Sequence, residues 1–326
     1  MRLITLDDII ETYTKFRQRG LPFIVSKLNL NNTKRTKSAF NELNKQSSNW
    51  WNIPKVRKRW NTIITGNPNT EPEEFVMKRF FREDKNLKML SLGSGLCTHE
   101  LAFATYHNFE EILCIDISDR LLKQASIKAS EENLKNIFFK VKNLYDYEFP
   151  ENYFDIVYFH ASLHHFKDID QLLREQLKNT LKNNGKLIID EFVGPDRLQF
   201  PKHQITKINE ALHLIPKPYR KRFKLDLYKN KVYGSGIIRM ILADPSECVE
   251  SSQITPSIHN NYQILYEASY GGNILANVLK DLAHHFMELD EEKEKVLNRL
   301  FEFEDEYLKN NPSDFVFGVY LNKKNE

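Results

Sequence analysis

The sequence predicts an α/β fold in which a mostly parallel β-sheet is covered by helices on both faces. Short apolar runs recur between residues 88 and 189, and stretches with helical spacing separate them. A glycine turn, Gly93-Ser94-Gly95, closes the first of these runs. Hydrophobic residues make up 41% of the 326 residues, which is enough for a large core. Strands that alternate with helices at this pitch imply right-handed crossovers between parallel strands.

Five strands and three helices follow from the pattern in this middle part of the chain. The helix at 168–182 has one apolar face, which includes Leu173 and Leu177, and Asn183-Asn184-Gly185 predicts its end. The predicted strands are 88–92, 112–116, 137–141, 154–159 and 187–189, and the other helices are 98–106 and 119–133.

The flanks of this core differ from it in pattern. The prediction divides the chain into an N-terminal helical lid (1–75), a core (76–195), a helical insertion (196–262) and a C-terminal part that completes the sheet (263–326). Within the last part, a sixth strand is predicted at 263–268, helices at 274–309 and a final strand at 315–321. The polar run at 31–38 is typical of a loop.

Composition excludes several classes of protein. The 47 basic and 44 acidic residues give a net charge of +3, which is too small to indicate nucleic-acid binding. No apolar run reaches the roughly 18 residues of a membrane helix. The three cysteines have no metal-type spacing, so we expect no metal site and a reducing, cytoplasmic location. The oligomeric state is left open.

Two features at predicted strand ends indicate an adenosine ligand. The glycines of Gly93-Ser94-Gly95 let a ligand approach the backbone at the start of a helix. Asp116 ends the second strand and can accept hydrogen bonds from both hydroxyls of a ribose. Dinucleotide and S-adenosylmethionine sites share this pair, so the pair alone does not name the ligand.

Over residues 85–195 the ordered set of motifs resembles class I methyltransferases. The glycine loop and Asp116 are followed by Asn143, by a strand that begins Phe154-Asp155-Ile156-Val157, and by Leu163-His164-His165. This resemblance implies a Rossmann-like sheet with helical insertions after the fifth and sixth strands, and S-adenosylmethionine as cofactor. Three positions depart from the family pattern, namely Ser91 for its usual acid, Cys97 for its third glycine and Asn143 for a common acid. The cofactor contacts that it implies are Ser91, Gly93, Ser94, Gly95, Asp116, Ile117, Asn143, Leu144 and His160.

A narrower resemblance covers most of the chain. Asn49-Trp50-Trp51-Asn52-Ile53-Pro54, Arg59-Trp60-Asn61 and Tyr270-Gly271-Gly272 are similar to signatures of a bacterial methyltransferase group associated with specialised metabolites or glycans. A small-molecule substrate is therefore expected, with contacts from Trp51, Arg59, Trp60, Arg197 and Tyr270. The clustered tryptophans serve either as a wall of a lid or as an apolar anchor for the N-terminal helices.

The candidate catalytic residues are His160, His164 and Glu191. Any of them can remove a proton from a substrate, although a histidine here can also hold the loop in place. The predicted function is methyl transfer from S-adenosylmethionine to an oxygen or nitrogen of a small molecule. A nicotinamide-dependent oxidoreductase and a non-catalytic binding module on the same fold are the alternatives.

Overall fold

A seven-stranded sheet forms the centre of the protein. The computed structural model describes residues 1–19, 35–37 and 48–323. The strand order is β3-β2-β1-β4-β5-β7-β6; β1 to β5 pair in parallel, and β7 is antiparallel to both β5 and β6. The order reverses between β1 and β4, which opens a crevice at their carboxyl ends. The strands are β1 (Leu87–Leu92), β2 (Phe109–Asp116), β3 (Ile137–Val141), β4 (Phe154–His160), β5 (Leu181–Phe192), β6 (Gln263–Gly271) and β7 (Phe315–Leu321).

Helices flank this sheet and fill the insertions on either side of β6. Between them lie short 3-10 turns, of which Trp50–Asn52, Leu163–His165 and Ala283–Phe286 matter below. The helices are α1 (Leu6–Arg19), α2 (Pro54–Thr65), α3 (Pro72–Phe80), α4 (Thr98–Ala104), α5 (Asp119–Glu131), α6 (Ile169–Gln171, a π-helical turn at Leu172–Leu177, and Lys178–Thr180), α7 (Lys202–His213), α8 (Ile237–Ala243), α9 (Ile254–Asn261), α10 (Leu275–Leu279) and α11 (Glu291–Leu308).

Alternate residues of the strands belong to separate hydrophobic cores on the two faces of the sheet. Met89, Ile156 and Ile188 belong to one buried cluster, and their neighbours Val157 and Leu187 belong to the other. Such alternation follows from the two-residue period of a β-strand. A third buried cluster joins the Trp50 turn to α7, α10 and α11. The sequence prediction of a sheet buried on both faces is therefore confirmed.

The end of α6 differs from its prediction. The helix ends at Thr180, and β5 begins at Leu181 rather than after Gly185. Leu181 pairs with Phe154, and the N–H of Tyr153 donates to the carbonyl of Thr180, so these strand contacts stop the helix early. The two residues Asn183 and Asn184 lie in the irregular part of the pairing between Phe154 and Ile156. An asparagine–glycine pattern predicts that a helix ends nearby, but it does not show whether the residues before it pair with a neighbouring strand.

The described N-terminal residues pack on the insertion between β5 and β6. The Asp8 carboxylate accepts from the N–H of Gly236 (2.9 Å) and from Nε of Arg239 (2.8 Å). Of the loop predicted at 31–38, only residues 35–37 are among the described residues, and these three are helical, so the prediction is wrong there. No helix in the described ranges combines the length and the apolar character needed to cross a membrane.

Candidate functional site

The glycine loop after β1 forms the floor of a cleft. Gly93 and Gly95 have φ values of +70° and +55°, a region that glycine enters at little cost. A Cβ at Gly93 would lie 2.9 Å from Cβ of Ser162, so this glycine allows the ends of β1 and β4 to approach. A Cβ at Gly95 would meet no protein atom within 4 Å. The backbone of Gly95 is thus open to a ligand.

Asp116 lies at the end of β2 and its carboxylate is held by the glycine loop. The N–H of Gly95 donates to Oδ2 (2.9 Å), and the N–H of Ser118 donates to Oδ1 (2.7 Å). Burial raises the pKa of Asp116, and these two bonds partly oppose that rise. Each carboxylate oxygen has a second lone pair, so the fixed group can still accept the two hydroxyls of a ribose.

The segment after β3 and the loop after β4 form the walls of the cleft. Leu144 is buried, and Oδ1 of Asn143 accepts from the N–H of Tyr145 (3.3 Å). The Tyr145 hydroxyl accepts from the N–H of Lys167 (2.8 Å), and the Tyr145 ring meets the Phe166 ring edge-on. Aromatic walls of this kind suit a flat heterocycle such as adenine. Of the expected cofactor contacts, Gly93, Asp116, Ile117, Asn143 and Leu144 line the cleft.

Four of the expected cofactor contacts are not among the described residues that line the cleft; these are Ser91, Ser94, Gly95 and His160. Ser91 is buried, and its hydroxyl donates to Oε1 of Glu100 (2.5 Å). A carboxylate from α4 thus contacts the side chain at the position where the family usually has an acid. Burial raises the pKa of Glu100. Cys97, at the position of the third glycine, keeps a left-handed backbone with φ +53°.

A group of polar side chains gathers at the carboxyl ends of β4 and β5. The His160 ring packs on the His99 ring with centroids 3.7 Å apart. Its Nε2 lies 3.7 Å from Oδ2 of Asp190, and the Tyr270 hydroxyl donates to Oδ1 of Asp190 (2.5 Å). His99 is hydrogen-bonded through Nδ1 to Glu73. The fold therefore brings the predicted residues His160 and Tyr270 together with His99, Asp190 and Glu73, which sequence reasoning missed.

The protonation of this group is set by burial and by mutual contact. Burial lowers the pKa of His160 well below its ordinary value, and the adjacent His99 adds to this effect. Burial also opposes charge on His99, but the bond to Glu73 outweighs it and raises the pKa of His99. Burial raises the pKa of Asp190 to about 6. Near neutral pH, His160 is thus uncharged and has a lone pair to accept a proton.

His164 and Glu191 hold the loop after β4 in place. Glu191 is fully buried, and its Oε1 accepts from the N–H groups of Ser162 and Leu163, both at 2.6 Å. Its Oε2 is bonded to Nδ1 of His164 (2.7 Å). Burial disfavours charge on His164, but the Glu191 carboxylate prevails and raises the pKa of His164. Both oxygens of Glu191 are engaged, which suits a residue that positions the loop.

The expected substrate contacts occupy different places. Trp60 packs against Tyr270 and Trp50, with centroids 5.5 and 4.5 Å apart, whereas Trp51 is 48% exposed. Arg59 pairs with Asp305 of α11 at 2.6 Å, and Arg197 donates to the carbonyl of Glu247 (3.0 Å). Only Tyr270 and Trp60 are near the His160 group. The buried Trp50 contacts Phe315 of β7, and the partly buried Trp60 of α2 contacts Tyr270 of β6.

A family model described as a methyltransferase domain matches residues 83–269, which is more than half of the chain. The match begins just before β1 and ends within β6, so it includes the glycine loop and Asp116. Of the His160 group it includes His99, His160 and Asp190, whereas Glu73 and Tyr270 lie outside the matched range.

Individual relatives share the central part of the chain. An uncharacterized methyltransferase of Bacillus subtilis, YcgJ, is 29% identical over 128 residues, which are 36% of this chain and 49% of that protein. The ubiquinone/menaquinone biosynthesis C-methyltransferase UbiE of a Shewanella species is 31% identical over 113 residues, 33% of this chain and 44% of the relative. The chain thus spans about half the length of the curated relatives it matches. Among solved structures, phosphoethanolamine N-methyltransferase 2 of Haemonchus contortus is 14% identical and has a TM-score of 0.48, with 83% of this chain and 57% of that chain covered.

Proposed function

Because the chain belongs to the methyltransferase domain family, we propose that it transfers a methyl group from S-adenosylmethionine to an oxygen or nitrogen of a small molecule. The observation that carries the proposal is the Asp116 carboxylate, fixed by Gly95 and Ser118 at the floor of an open cleft. S-adenosylmethionine supplies a methyl on a cationic sulfur, and as a lone pair of the acceptor bonds to that carbon, the carbon–sulfur bond breaks.

Different residues of the cleft are proposed to contact the ribose, the adenine and the amino acid moiety of this cofactor. Asp116 accepts the ribose hydroxyls, while Asn143, Leu144 and Tyr145 adjoin the adenine. The open backbone at Gly95 leaves room for the chain of the amino acid moiety. The sheet supports a methyltransferase over the oxidoreductase alternative, because its antiparallel β7 is absent from the parallel order 3-2-1-4-5-6 of dinucleotide-binding folds.

His160 is the proposed base for the acceptor. A hydroxyl or protonated amine has to lose a proton, and a neutral imidazole at the end of β4 can accept it. The carboxylate of Asp190 is 3.7 Å from Nε2 and would stabilise the imidazolium that forms. Tyr270 fixes that carboxylate through its hydroxyl. His164 and Glu191 act in this proposal as positioning residues for the loop.

The acceptor is proposed to bind on the His160 side of the cleft. Tyr270 and Trp60 lie next to that group and offer aromatic surface, whereas Trp51, Arg59 and Arg197 would contact it only after local movement. Three free, buried thiols fit a reducing compartment such as the cytoplasm.

Calorimetric titration tests the cofactor half of the proposal. We expect S-adenosylmethionine or S-adenosylhomocysteine to bind in the micromolar range and NADH not to bind. Binding of NADH without either methyl-cycle compound would overturn the proposal in favour of the oxidoreductase.

A substrate screen with S-adenosylmethionine labelled with ¹³C in the methyl group tests the acceptor half. The shift of the new methyl signal separates O-, N- and C-methyl products. His160→Asn should lower turnover by about 100-fold or more, because a general base typically contributes that factor, and should leave the Kd of S-adenosylhomocysteine nearly unchanged. A turnover equal to that of wild type would exclude His160 as the base, and a C-methyl product would exclude the proposed acceptor class.

A further inference from the structure

Two histidines and a glutamate meet at the wall of the cleft where the loop after β4 contacts the segment before α9. One ligand atom from each of His164, His165 and Glu247 lies within 4.8 Å of the others. We propose that these three residues bind a divalent metal ion of the zinc type, although the sequence alone predicts no metal site. Two imidazole nitrogens and one carboxylate oxygen are a donor set that zinc uses in sites with an open position.

His164 is oriented as metal-binding histidines usually are. Its Nδ1 is bonded to the buried Glu191 carboxylate at 2.7 Å, so Nε2 is the nitrogen that remains for an ion. A carboxylate behind a histidine fixes the ring and raises its basicity as a ligand. Glu191 is itself fixed by the N–H groups of Ser162 and Leu163. The ligand is therefore held before any ion arrives.

The opposite side of the site comes from residues 244–247. Nδ1 of His165 contacts the Ser246 hydroxyl (3.1 Å), and its Nε2 lies 3.8 Å from Oε2 of Glu247. The N–H of Val249 donates to the carbonyl of His164 (3.2 Å), which ties the two segments together. Movement of each side chain by less than about 1 Å would bring the three donors to the roughly 2 Å that separates zinc from its ligands.

The charge around the site favours a cation. Three carboxylates, those of Glu191, Asp244 and Glu247, lie within 4 Å of a nitrogen of His164 or His165. The nearby Arg197 donates to the backbone carbonyl of Glu247. The negative charge of these three carboxylates around the two histidines would attract a divalent ion.

A second histidine pair in the chain provides a contrast. His284 and His285 also stack, with centroids 3.9 Å apart, but Nδ1 of His284 contacts Ser48 and Nε2 of His285 donates to the carbonyl of Lys221. Within residues 1–19, 35–37 and 48–323, His164, His165 and Glu247 form such a cluster of three donors, whereas His284 and His285 belong to none. Adjacent histidines alone do not make such a site.

The position of the proposed ion suits it to bind the methyl acceptor, in addition to the binding of the methyl donor by the cleft. His165, Pro245 and Ser246 line the cofactor cleft, so an ion beside them borders the space where small molecules enter. Its open positions would take an oxygen of a bound acceptor, such as a hydroxyl or carboxylate. A metal-bound hydroxyl loses its proton more readily than a free one.

Metal binding is tested on the full chain after removal of bound ions with a chelator. Titration with Zn²⁺, and with Co²⁺ as a coloured substitute, should show one ion per chain and a visible Co²⁺ spectrum typical of nitrogen and oxygen ligands. His165→Ala and Glu247→Gln should each weaken Zn²⁺ binding by about 100-fold. Glu191→Gln should weaken it by about 10- to 100-fold, as loss of a carboxylate behind a ligand does.

The matched controls are His203→Ala, which removes an exposed histidine of α7, and His284→Ala, from the second pair. Both should bind Zn²⁺ like the wild type. Absence of stoichiometric binding to wild type, or full binding by both His165→Ala and Glu247→Gln, would overturn the proposal. S-adenosylhomocysteine binding and circular dichroism, measured on every variant, separate this outcome from misfolding and from failure of the cofactor proposal.

Discussion

At the scale of single residues, we expect Asp116 and Asn143 to contribute unequally to the binding of an adenosine ligand. A carboxylate that accepts hydroxyls makes charged hydrogen bonds of about 1.5–3 kcal/mol, against about 1 kcal/mol for a neutral contact. Asp116→Ala should therefore raise the Kd of S-adenosylhomocysteine by well over tenfold, and Asn143→Ala by less than tenfold. Calorimetry on both variants measures the difference.

Asp116 also fixes the N–H groups of Gly95 and Ser118, so its loss loosens the loop as well. Asp116→Asn separates these effects, because the amide retains one acceptor for the loop while losing the charge. Equal losses of affinity for Asp116→Ala and Asn143→Ala would show that the ribose does not bind at Asp116.

The residues that sequence reasoning found are those at the ends of strands. Gly93, Asp116 and Asn143 each follow an apolar run, and the topology of a parallel sheet brings such positions to one edge. Glu100 and Asp190 were missed because neither occupies a motif position. Their roles depend on contacts with Ser91 and Tyr270, which a single sequence does not reveal.

At the scale of elements, strands were easier to predict than helix ends. Every predicted strand is present, including the edge strand β3, in which Ile137 is the one buried residue, because short apolar runs bounded by turn signals favour strands. The end of α6 was misplaced because pairing of Leu181 with Phe154 competes with helix formation. Such competition depends on a partner 27 residues away, beyond the reach of local propensity.

Residues 35–37 contact the cofactor-binding part of the chain. Thr36 lines the cleft, and Nζ of Lys37 lies 2.7 Å from Oδ1 of Asp119 at the start of α5. We expect Lys37→Glu to weaken S-adenosylhomocysteine binding by about two- to fivefold, since exposed ion pairs contribute at most about 1 kcal/mol. Calorimetric titration of wild type and variant gives this ratio.

The charge-swapped pair Lys37→Glu with Asp119→Lys is the control for this contact. Restoring the pair should recover most of the lost affinity, because the attraction does not depend on which side has the positive charge. If the double variant binds as weakly as Lys37→Glu, the ion pair does not hold this segment against the cleft.

At the scale of the whole molecule, buried carboxylates join parts of the chain that lie far apart in sequence. Glu304 of α11 is fully buried and accepts from the N–H groups of Ile274 and Leu275 at the start of α10. Asp314 accepts from Nε2 of Gln204 in α7 (2.7 Å), and its own N–H donates to Asn273 (3.0 Å). These acids connect the insertion, the C-terminal helices and β7. Hydrophobic patterning predicted the core but gave no sign of this polar network.

The Asp314 carboxyl should make the stability of the fold depend on pH. Burial raises the pKa of Asp314 from 3.8 to about 7, although the bond from Gln204 opposes the rise. The unfolded chain releases this proton near pH 4 and the folded chain near pH 7, so the contribution to stability falls between these values as pH rises. Asp314→Asn removes the titrating group and keeps an acceptor for Gln204.

The unfolding free energy of Asp314→Asn minus that of the wild type should therefore rise by about 2–4 kcal/mol between pH 5 and pH 8, since each unit of pKa shift corresponds to about 1.4 kcal/mol. Urea unfolding at both pH values measures this change, and Asp84→Asn, at an exposed position, is the control. A pH dependence of Asp314→Asn that matches the wild type would mean that the Asp314 carboxyl does not titrate in this range.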